Sequence, residues 1–150
     1  MNGYGMALTS FESSSVFARE LLKGDKTYGI NVDRVQWDSQ SKQFVMIEYL
    51  LTDEKQFARG VTPYSSHPNR YFWKNSSKFI SLWEVANHLG AQLFLVNYSK
   101  KGTEHADEVL LMKVRSVDSA RTSDPVQTED TRMTREGFSS WFRRLNKRGS

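Results

Sequence analysis

Apolar residues at Phe11, Val16, Phe17, Ala18, Leu21 and Leu22 recur at helical spacing, which predicts a helix over residues 10–23. Thr9 or Ser10 offers an oxygen to cap its free N–H groups, and Gly24 with Asp25 ends it. Residues 28–37 and 43–51 read as two strands separated by a polar turn, close enough in sequence to pair as an antiparallel hairpin. On the second strand Phe44, Met46, Glu48 and Leu50 share one face, and Val45, Ile47, Tyr49 and Leu51 share the other. Both faces are largely apolar, as expected of a central strand covered on both sides, and Glu48 stands out as the acid within it.

Residues 52–77 have no clear period and carry Pro63, Pro68 and several aromatics. So long a stretch without structure is unusual in a small domain and is often functional. A short strand near 57–62 is the one element it suggests. Residues 78–90 predict a helix, capped by Asn75, Ser76 or Ser77 and stopped by Gly90, with Phe79, Leu82, Trp83, Ala86 and Leu89 as its apolar stripe. Strands are expected over 91–98 and 107–117. Phe138, Trp141, Phe142 and Leu145 mark a final amphipathic helix over 134–147. This order predicts an α/β fold, a mixed sheet layered with helices, and contains no repeat. The expected organisation is an α/β core over 1–117, a flexible acidic connector over 118–131, and a basic amphipathic C-terminal helix over 132–150 packing on the core.

Composition narrows the chemistry. A chain of 150 residues predicts one domain able to bury a core without staples. The absence of cysteine excludes a disulfide scaffold and thiolate zinc sites, and His67, His88 and His105 lack zinc-ligand spacing. No apolar run approaches the roughly 20 residues of a membrane span, and the first residues do not read as a signal peptide, so a cytoplasmic protein without a membrane partner is expected. The formal charge of +4 divides into +2 over 1–116, −3 over 117–131 and +5 over 132–150. Its basic end is placed to meet a polyanion, or to be met by the acidic connector folding back on it.

Asp33 and Glu48 lie on the two hairpin strands, where they can stand side by side. Two adjacent carboxylates are costly unless a cation neutralises them, and oxygen donors of this kind suit Mg²⁺ or Mn²⁺. In the plainer alternative, Glu48 pairs with a lysine or arginine and Asp33 sits at a sheet edge. On a helical wheel Lys78 falls within the apolar stripe, in a first turn where the dipole disfavours a cation. An acidic site on the sheet accounts for that placement, as does a stem that covers the core edge while the amine reaches water. The segment 67–74 mixes cations with rings. Arg70, Trp73 and Lys74 there, and Arg143 and Arg144 on the last helix, are candidates to bind nucleic acid, although the same rings can pack the segment onto the domain. His67 precedes a proline and reads first as a turn residue, with general base as its other role.

Glu20, the run Asn31-Val32-Asp33 and the run Ile47-Glu48-Tyr49-Leu50 resemble the restriction-endonuclease-like superfamily, the PD-(D/E)xK nucleases, over residues 10–117. The resemblance implies a three-layer core, ordered helix, three strands, helix, strand, around a central mixed sheet. It also implies an Asp near the start of one strand, Glu-x-Lys on the next, and an acid on the preceding helix. Asp33 and Glu48 would then be catalytic and hold Mg²⁺ or Mn²⁺ with Glu20, and the protein would hydrolyse DNA phosphodiester bonds. Leu50 stands where the motif has its lysine, and Lys78 is the candidate for a displaced one. Leu50 also opens a second expectation, a lapsed nuclease-fold module that binds nucleic acid or protein. A protein-interaction factor acting through the aromatic loop or last helix is a third. A homodimer or a protein partner is compatible with each.

Overall fold

The doubly apolar run at residues 45–50 lies inside a five-stranded sheet. The computed structural model describes residues 10–149; the expected Thr9 cap, the N-terminal start and Ser150 lie outside these. The elements are α1 (Ser10–Leu22), β1 (Arg34–Asp38), β2 (Gln43–Leu51), α2 (Glu54–Ala58), α3 (Ser76–Leu89), β3 (Gln92–Tyr98), β4 (Glu108–Val117), β5 (Val126–Thr134) and α4 (Arg135–Lys147). Two 3₁₀ turns, Pro68–Arg70 and Phe72–Lys74, precede α3. The sheet runs in the order β1-β2-β3-β4-β5. Only β2 and β3 pair in parallel, because the chain between them crosses over through α2, the 3₁₀ turns and α3; the other neighbours are antiparallel.

The two faces of the sheet carry separate cores. On one, Met46, Leu50, Leu93, Leu95 and Met112 pack with Phe72, Phe79, Leu82 and Ala86. On the other, Val45, Ile47, Phe94, Val96 and Leu111 pack with Leu145, and Phe138, Trp141 and Phe142 of α4 close over them. Alternation along β2 therefore feeds one helix with even-numbered residues and the other with odd-numbered ones. At roughly 1.5–3 kcal/mol for each large apolar side chain buried, these clusters hold the layers together. Asp38, 4 % exposed, takes a 2.9 Å bond from Arg148 Nε and ties the end of α4 to the β1–β2 turn.

Several expectations are corrected. β1 begins at Arg34, so residues 28–33 lie outside the ladder. The segment 52–77 contains α2 and two 3₁₀ turns, and no strand at 57–62. Asp53 starts α2 with a capping box: its carboxylate accepts from Gln56 N, and the Gln56 side chain accepts from Asp53 N. The expected acidic connector is a strand from Val126 onward, paired with β4. Its middle is polar because an edge strand needs backbone bonds more than apolar alternation. Among the described residues two strands, β1 and β2, separate α1 from α3, one fewer than the resemblance implies. Val16, Phe17 and Leu21 of α1 are exposed.

Candidate active site

Just before β1 begins, the ladder to β2 is continued by side chains. Arg34 pairs with Ile47, and the next position on β1's side is Asp33. The Asp33 carboxylate accepts from Tyr49 N at 2.8 Å, in place of the strand carbonyl that would otherwise satisfy this N–H. In return Asp33 N donates to Glu48 Oε1 at 3.3 Å. The two acids are thereby fixed side by side by the backbone groups of each other's strand.

Glu48 projects from the α3 face of β2 and is 6 % exposed. Lys78, in the first turn of α3, brings Nζ to 3.0 Å from Glu48 Oε2, with its own side chain 44 % exposed on the cleft side. Burial pushes the Glu48 carboxyl above its ordinary value; the Lys78 ammonium pulls it back and the charge of Asp33 pushes it further up. A cavity of about 600 Å³ opens over the group, walled by Asp33, Glu48, Ser77, Lys78, Ser81 and Lys26. Asp33, Glu48 and Lys78 thus meet at one cleft, 15 to 45 residues apart in sequence.

Other candidates fall elsewhere. Glu20 is exposed on α1 and is not among the residues walling the cleft. Among the described residues no group of three or more His, Asp or Glu is arranged to hold a metal ion; Asp33 and Glu48 are a pair of carboxylates. Arg143 and Arg144 are exposed on α4, and α4 covers the sheet face opposite α3. They are on the other side of the molecule from Lys78. His67 accepts from Asn69 N through Nδ1 and bonds Thr128 through Nε2, so it holds the first 3₁₀ turn to β5, and it is not among the residues walling the cleft.

The aromatic segment divides in two. Phe72 is fully buried and stacks on Phe79 at 6.2 Å, whereas Trp73 is 58 % exposed. Arg70, Trp73 and Lys74 wall a second cavity together with Lys55 of α2 and Arg59 at its C-cap. The sequence reading missed those last two residues. The Asp53-x-x-Gln56 capping signature was the signal that places Lys55 on a short helix and Arg59 at its end. Leu50 fills the α3-side core at 9 % exposure and touches a small cavity that Lys78 also walls.

Comparison of the chain with protein families, with curated proteins and with solved structures gave no match. No helix among the described residues is long and apolar enough to cross a membrane.

Proposed function

We propose that the protein is a divalent-cation-dependent nuclease that hydrolyses DNA phosphodiester bonds in the cleft of Asp33, Glu48 and Lys78, on a restriction-endonuclease-like fold. The observation that carries this reading is the convergence of a buried acid, a second carboxylate locked beside it, and an ammonium delivered from another element. Helices on both faces of a mixed sheet support the fold assignment. The donor set fits Mg²⁺ or Mn²⁺: both donors are carboxylate oxygens, and such ions accept one or two carboxylates with water and substrate phosphate completing the shell. Asp33 and Glu48 would hold the ion. When bound, it supplies Lewis-acid polarisation of the phosphoryl group.

The chain's own groups have distinct tasks. Asp33 and Glu48 gather negative charge at a place where only a cation relieves it. Lys78 reaches the same point with a half-exposed ammonium that donates up to three hydrogen bonds, enough to keep Glu48 and still orient a water or a phosphate oxygen. In the reaction a water oxygen bonds to phosphorus and gives up a proton to solvent as the P–O bond to one sugar breaks, and the leaving oxygen takes up a proton from solvent. Lys78 stabilises the charge that develops on the phosphoryl oxygens.

Calorimetric titration with Mg²⁺ or Mn²⁺ tests the donor set. Binding is expected for the wild type and is lost in Glu48→Gln; equal binding by that variant refutes the assignment. Leu50 in the motif's lysine position favours a second reading, a module that binds nucleic acid without cutting it. That reading predicts nucleic-acid affinity with no metal-dependent hydrolysis.

A further inference from the structure

The cleft of Asp33, Glu48 and Lys78 does not end at Lys78. That lysine also walls a smaller cavity of about 260 Å³ with Tyr49, Leu50 and Tyr71. Gln56, Ser66 and Tyr71 in turn belong to both this cavity and a larger one of about 550 Å³. The larger cavity is rimmed by Lys55 from α2, by Arg59 at the C-cap of that helix and by Arg70 and Lys74 from the 3₁₀ turns, with Trp73 among them. One acid, Asp53, shares the rim, and its carboxylate is engaged in capping α2. Four cations against one carboxylate leave this cavity at +3. None of the four forms an ion pair among the described residues, whereas Lys78, Arg115 and Arg148 each have a carboxylate partner.

We infer that this basic cleft holds a single-stranded segment of the nucleic acid whose phosphodiester lies at Lys78, with Lys55, Arg59, Arg70 and Lys74 on its phosphates and Trp73 stacked on an unpaired base. The inference rests on the proposed nuclease reading and names its substrate class. Unpaired cations along a groove supply the sequence-independent part of nucleic-acid affinity. An exposed indole among them adds a stacking surface that a base buried in a duplex cannot use. The cavity has the size of a small-ligand pocket, suited to a nucleotide and too small to admit a double helix.

The scaffold holds the rim firmly. Asn97, 1 % exposed, donates to the carbonyls of Pro63 and Ser66, and Asn69 exchanges two bonds with the Val126 backbone. Phe72, next to Trp73, is anchored in the core, so the indole stands on a rigid base.

The test is fluorescence anisotropy with full-length protein carrying Asp33→Asn, in EDTA so that nothing is cut. The probes are labelled dT12 and the same strand paired with dA12. The expected result is binding of dT12 at least about tenfold tighter than of the duplex, weakened about fivefold or more by Trp73→Ala and largely kept by Trp73→Phe. Arg59→Ala with Arg70→Ala should weaken dT12 about tenfold and reduce the slope of log affinity against log salt by about 1.4. Arg143→Ala with Arg144→Ala, on the opposite face, should change nothing. The inference is overturned if the duplex binds as well as dT12, if the Arg59/Arg70 variant binds like its parent, or if only the Arg143/Arg144 variant loses affinity. The arginine pair is exposed, so it keeps the test valid even where Trp73→Ala unfolds the protein. Lost dT12 selectivity beside intact Asp33-dependent cleavage sinks this inference alone. Selective binding beside absent cleavage sinks the nuclease reading alone.

Discussion

Removing the Lys78 amine should expose how much the cleft depends on it. In Lys78→Ala, Glu48, 6 % exposed in the wild type, keeps its neighbour Asp33 but loses the ammonium at 3.0 Å. Breaking a fully buried pair by deleting one partner costs about 3–5 kcal/mol, while an exposed pair contributes about 0–1 kcal/mol. With Glu48 buried and Lys78 half exposed, the expected loss is about 1–3 kcal/mol. In a Glu48→Gln background, where no charge remains to be stranded, the same deletion should cost about 0.5 kcal/mol or less. Urea unfolding of the four proteins of this cycle, at pH 7 in EDTA, reads the coupling directly. The sign with pH follows from Glu48. Burial raises its folded value, so the charged form opposes folding increasingly as pH rises through its titration. The deficit of Lys78→Ala should therefore shrink toward pH 4, as the stranded carboxyl takes up a proton. Additivity of the two substitutions within about 0.3–0.5 kcal/mol would refute the reasoning, because it would mean that the pair is not coupled.

Two further outcomes bear on the frame and on the motif. Arg148 is the largest influence holding Asp38 at about 2, down from 3.8, so this bond stabilises the protein above pH 3.8 and is lost as pH falls from there toward 2; Arg148→Met should lower stability at pH 7 by about 1–2 kcal/mol, discounted for the partly open arginine, and flatten the acid limb of the stability profile. Leu50 shares the Glu48 face of β2 and a cavity with Lys78, so Leu50→Lys should return at least about tenfold of the roughly 10²-fold activity lost in Lys78→Ala; a folded double variant no more active than Lys78→Ala contradicts the shared position.

Much of this architecture is written in local pattern. The two-faced apolar run of β2, the stripe of α3 and the i, i+3, i+4, i+7 anchors of α4 each report burial against a layer, and all three elements form close to where periodicity places them. β5 left no such trace. Its residues 127–132 are polar, and it is a strand because β4 offers a row of backbone bonds that no local rule encodes. β1 starts later than its apolar pattern predicts for a related reason: Asp33 satisfies Tyr49 N with its side chain, which substitutes for one more ladder pair. Lys78 was legible because a cation within an apolar stripe requires an explanation. The role of Glu20 was carried by the resemblance alone, and Arg143 and Arg144 by charge alone; neither source encodes which face of the sheet a helix covers.

The central claim is that Asp33, Glu48 and Lys78 form a working hydrolytic centre. Its most direct test is cleavage of an end-labelled oligonucleotide with both duplex and single-stranded arms, in Mg²⁺ or Mn²⁺, by the wild type and by Asp33→Asn. The amide of that variant keeps an acceptor for Tyr49 N while removing the charge. The account predicts metal-dependent cutting by the wild type, none in EDTA, and a loss of roughly 10²-fold or more in a folded Asp33→Asn protein. Undiminished cutting by Asp33→Asn, or no cutting by the wild type with either ion, would contradict it.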